Sequence, residues 1–78
     1  MPRYFFNLYD DMVSIDEEGK DLPGEAQARD EAVRNAKEIA CAEVVEGHLH
    51  LDHRIEVADA FGEVIDTVWF REIVQVSG

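Results

Sequence analysis

The sequence has 78 residues, 18 acidic against 7 basic and a formal charge of -11, so it makes one small domain with no cationic cluster able to track phosphates; nucleic acid is set aside as a partner. A chain of this length buries only about 60–65% of the surface its unfolded form exposes, so its margin of stability is thin and oligomerisation would help. The same negative field argues against an anionic membrane surface, no apolar run approaches the ~18 residues of a spanning helix, and a single cysteine excludes an internal disulfide.

Arg3 to Asp10 alternates, with Tyr4, Phe6 and Leu8 on one face and Phe5, Asn7 and Tyr9 on the other, which predicts a strand. Asn7 marks its own face as the outer one. Nothing in this opening combines a basic region, an apolar stretch and a small-residue cleavage site, so no signal peptide is read and the expected location is the cytoplasm. Asp10 and Asp11 punctuate before Met12 to Ile15, a short second strand returning on the first as a hairpin. The acidic run Asp16 to Asp21 lacks the alternating ligands of a calcium loop and is read as a solvated turn, after which Leu22 re-enters the core.

Leu22 to about Val45 predicts the long helix on which the domain is built. Ala26, Ala28, Ala32, Val33, Ala36, Ile39, Ala40 and Val44 fall in an arc of roughly 160°, the width expected of a helix lying on a core. Because that arc is mostly alanine, the large core residues must come from the sheet beneath. Gly24 stands at the N-cap position and Gly47 where a left-handed residue would end the last turn. Arg29 and Glu43 intrude near the two ends of the apolar arc, where they are expected to snorkel or pair. Cys41 lies on the polar side with only Lys37 as a nearby cation, and is read as unreactive.

Beyond the helix, His48, His50, Asp52 and His53 are the only residues with a chemical look, since an extended His-x-His turns both rings to one side. Four donors crowded into six residues, with no distant ligand to close a shell, favour a solvated connection whose Leu49 and Leu51 face inward. No cofactor is expected, and these four are the weak candidates for a metal. Arg54 to Ala58 reads as a third strand with Ile55 and Val57 inward, and Asp59 to Gly62 as a turn into a fourth strand from Glu63 to about Arg71. If Asp59 pairs with Glu63, then Ile65, Thr67 and Trp69 join Ile55 and Val57; a turn one residue different brings in Val64, Val68 and Phe70 with Asp66 among them. The tail from Glu72 either extends this strand or turns away, and its last two residues are expected to fray.

The opening M-P-R-Y-F-F-N-L-Y-D, the stretch D-E-E-G-K-D-L-P at Asp16 to Pro23, the A-x-x-E-A from Ala28 to Ala32, and I-E-V-A-D-A-F-G-E-V-I with Val68 and Phe70 together resemble a family of short uncharacterised bacterial proteins. That family is common in root-nodule and related soil bacteria and is known only as a domain of unknown function. The resemblance spans nearly the whole chain. It implies a single small fold in a bacterial cytoplasm and carries no activity, ligand or catalytic residue.

The expected architecture is an α+β two-layer sandwich, one helix on a mostly antiparallel four-stranded sheet in the order β-β-α-β-β. One helix covers one face. Phe5 and Tyr9, with either Val68 and Phe70 or Ile65 and Trp69, are left as an outer patch that points to an interface, most simply a homodimer; the competing reading folds the C-terminal tail over it. No nucleophile elbow, H-E-x-x-H or phosphate-cradling loop is present, so the chain is not read as an enzyme. The leading expectation is a small cytoplasmic interaction or regulatory module, its acidic surface suited to a basic protein partner. A small-ligand binder with Trp69 or Tyr9 lining a cleft at the dimer seam is the alternative.

Overall fold

The aromatic alternation of the first residues becomes β1 (Arg3–Tyr9), the strand on which the sheet is assembled in a computed structural model describing residues 1–74. After it come β2 (Val13–Ser14), β3 (Lys20–Asp21), α1 (Glu25–Glu46), β4 (Arg54–Ala58), β5 (Val64–Trp69) and α2 (Phe70–Ile73). The strands run β2-β1-β4-β5, and all pairings are antiparallel, with β3 joining the other end of β1 through Arg3↔Asp21 and Tyr4↔Lys20. The class is the expected α+β layer of helix on sheet. The sheet has five strands rather than four, because the acidic run supplies β3 instead of standing off as a turn.

The reason lies in Asp16 and Gly19. The Asp16 carboxylate accepts from the backbone N–H groups of Phe6 at 3.2 Å and of Glu18 and Gly19 at 3.1 Å, while its own N–H donates to Asn7 Oδ1 at 2.9 Å. The loop is thereby laid on β1. Partial burial pushes the Asp16 carboxyl up, but the three amide donors and the Arg3 charge outweigh it and hold the group below the usual carboxylate range. At Gly19 (φ +73) an added Cβ would meet Arg3 Cγ, Phe5 Cε1 and the Tyr4 carbonyl oxygen at 2.9 Å, so only glycine fits.

Helix α1 starts after Gly24, which offers no capping side chain, and ends at Gly47 (φ +98), whose N–H reaches the Val44 carbonyl at 3.0 Å. Its buried residues are Ala28, Ala32, Ala36 and Ala40. With Val33 and Ile39 half-buried, this stripe is narrower than the predicted arc; Ala26 is exposed and Val44 is 60% exposed. A helix of this length runs about 33 Å and strands the length of β4 and β5 run about 17–20 Å. The helix is longer than the strands beneath it, and Ala26 and Val44, near its two ends, lie exposed.

The fourth strand of the sequence reading, now β5, resolves its register through a bulge. The Asp59 N–H donates to the Glu63 carbonyl at 2.9 Å, Gly62 takes φ +82, and Asp59 Oδ1 accepts from the N–H groups of Phe61 and Glu63, each at 2.9 Å. On an unbroken ladder that turn would send Trp69 inward. Ile65 is instead an extra residue between Ala58↔Val64 and Val57↔Asp66, and it shifts the rest of the strand by one, so that Val68 faces the helix opposite Ile55. Asp66 comes with it. Arg29, the intruder near the start of α1, answers it at 2.9 Å and also reaches Glu72 at 3.2 Å; the Asp66 pairing makes the guanidinium hold its proton more tightly than usual.

The core is Tyr4, Ile55, Val57, Val68 and Phe70 against the alanine stripe, with Phe6 and Leu8 partly buried beside it. Val68 and Phe70, named above among the interface candidates, are 0% exposed and belong to this core. The tail turns away rather than extending β5: α2 packs beside α1, with Ile73 and Val74 against the core. The expectation of frayed ends falls on Ser77 and Gly78, outside the described residues. Among those described, no helix is long and apolar enough to cross a membrane.

Candidate functional site

Two places merit chemical attention, and the first is the sheet face turned away from α1. The pairs Phe5↔Ala58, Asn7↔Glu56 and Tyr9↔Arg54, then Arg54↔Trp69 and Glu56↔Thr67, put these residues together on that side, and Tyr9↔Val13 adds Val13. Phe5, Tyr9 and Trp69 are half-buried there by their neighbours, while Val13 and Ile15 are each 58% exposed. Arg54 organises the patch. Its guanidinium lies 4.4 Å from the Tyr9 ring centre and 5.2 Å from that of Trp69, its Nε donates to Glu56 at 3.1 Å, and Arg71 approaches Trp69 from the strand end at 5.1 Å. Beside Phe5 an open cavity of about 300 Å³ is bounded by Asn7, Ile15, Asp16, Ala58 and Asp59.

A second cluster forms at the C-terminal end of α1. Glu43, the other intruder on the apolar stripe, holds His53 through Oε1 to Nδ1 at 2.8 Å, and its Oε2 accepts the His50 backbone N–H at 3.2 Å. Both side chains of the Glu43–His53 pair are nearly buried, at 12% and 8% exposed. The His53 ring meets Phe70 edge-on at 5.7 Å and stacks on His50 at 4.4 Å with 19° between planes. On its far side, His53 Nε2 lies 3.7 Å from Asp11 Oδ1.

Ligand atoms of Asp11, His50 and His53 all lie within 4.8 Å of one another. Of the four histidine-loop residues picked out by sequence, His50 and His53 are therefore brought together. His48 only touches the edge of His50, at 5.0 Å, and Asp52 stands outside the cluster. Sequence reading missed Asp11 and the role of Glu43. The signals were there in part: Glu43 was conspicuous on the apolar arc, and the Tyr9↔Arg54 pair places the turn after β1 beside the residue before β4.

The family model described as "Domain of unknown function (DUF6894)" matches residues 3–71. Neither curated proteins nor solved structures yield a match.

Proposed function

The chain belongs to that family of domains of unknown function, and from its geometry we propose a non-catalytic interaction or regulatory module of the cytoplasm, working as a homodimer through the sheet face centred on Phe5, Tyr9 and Trp69. The observation that carries this reading is the one-sided cover: α1 packs on β4 and β5 from one side, and α2 packs beside α1 rather than crossing to the other. A solvated sheet face does not ordinarily carry three aromatic rings flanked by exposed Val13 and Ile15.

Two chains of charge -11 repel, and Arg54 and Arg71, gathered around Trp69, offset part of that repulsion on this face. Stacking two such faces about a two-fold axis buries the rings of both copies. The acidic surface left outside then suits a basic protein as the dimer's partner. Light scattering behind a sizing column tests the pairing: a mass near twice 8.9 kDa at tens of micromolar, strengthened by added salt, is expected. A monomer mass under those conditions contradicts it. The alternative is a small-ligand binder with its cleft at the dimer seam, which the open cavity beside Phe5 on this face favours; a dimer whose melting point rises with one metabolite would support it.

A further inference from the structure

We infer that Asp11, His50 and His53 bind a divalent transition-metal ion of the zinc class, with Glu43 as the positioning carboxylate behind His53. Zinc held at about 2.0–2.1 Å by four ligands sets neighbouring donors about 3.3 Å apart. Asp11 Oδ1 and His53 Nε2, at 3.7 Å, are too far apart for a hydrogen bond and close to that separation, and the whole set closes within 4.8 Å. Asp11, whose side chain is 85% exposed on the turn between β1 and β2, has room to close on the ion, and the His50 side chain, 38% exposed, can follow.

Glu43 supplies what a lone pair of histidines lacks. By accepting from His53 Nδ1 at 2.8 Å it fixes the tautomer in which Nε2 carries a lone pair on the side of Asp11, the carboxylate–histidine arrangement behind many zinc ligands. His50 adds a second observation: its Nδ1 is buried and, among the described residues, has no hydrogen-bond partner, Glu43 Oε1 standing off at 3.8 Å. Among the described residues the ion pairs of Asp11 and Glu43 are with imidazoles and none is with Lys or Arg, so the cluster gathers negative charge. Two imidazoles and a carboxylate favour zinc, nickel or cobalt over magnesium or calcium, and leave a coordination position open. One chain holds all the ligands, so the inference stands apart from the homodimer.

The test is calorimetric titration of Zn²⁺ into the metal-free full chain, with Co²⁺ absorption as a second readout. Saturable binding of one ion per chain is expected. Asp11→Asn, at an exposed position, and His50→Ala, with circular dichroism confirming that the fold is kept, should each weaken it about tenfold or more, and Glu43→Gln about 10–100-fold. His48→Ala and Asp52→Asn should leave it unchanged. No saturable heat, binding that survives Asp11→Asn combined with His50→Ala, or an equal loss in His48→Ala would each overturn the site.

Discussion

The two faces of the sheet both carry large apolar side chains and are closed by different means. On the inner face Ile55, Val57 and Val68 meet an alanine stripe, large side chains from one layer and small ones from the other, and the polar groups that enter it are answered from the helix, Asp66 by Arg29 and His53 by Glu43. On the outer face Phe5, Tyr9 and Trp69 have no second layer among the described residues, and Arg54 and the Asp16 loop stand in for one. Apolar area alone therefore does not decide where a core forms; the layer that arrives to cover it does.

That contrast can be broken most sharply on the inner side. Phe70→Ala removes the largest fully buried side chain and should lower the unfolding free energy by about 3–5 kcal/mol, read by urea denaturation. Asp16→Asn loosens the loop on the outer face and should cost about 1–2 kcal/mol at neutral pH. Because the folded Asp16 carboxyl is held below the usual range, its contribution is present above the unfolded value of about 3.9 and is lost as the pH falls through the lower folded value. The gap between wild type and Asp16→Asn should therefore narrow in acid. Arg54→Ala is the smallest of the three, about 0.5–1 kcal/mol for a partly exposed cation–π pair, in samples dilute enough to be monomeric.

The inner face was legible because it is written in local periodicity. Four alanines at helical spacing named the stripe, and the alternation of β1 named Tyr4, Phe6 and Leu8 as its counterpart. The register of β5 was not legible, since it depends on one extra residue, Ile65, whose presence in a bulge leaves no mark in composition. Both possible faces of that strand are largely apolar, and the one charge among them, Asp66, spoke against the face that goes inward because its partner Arg29 lies on the helix. Val44 was misplaced for another reason: periodicity continues along a helix after the sheet below it has ended. The histidine cluster was half legible. Its imidazoles adjoin in sequence, whereas Asp11 reaches them only through the pairing of β1 with β4.

Trp69 offers the most direct measurement, because it is the chain's only tryptophan and lies on the outer face, half-buried in a single copy. Its emission should shift to the blue as protein concentration rises from well below a micromolar to tens of micromolar, as a second copy excludes water from the ring. Emission that stays unchanged across that range would mean the face remains wet, and would contradict the homodimer.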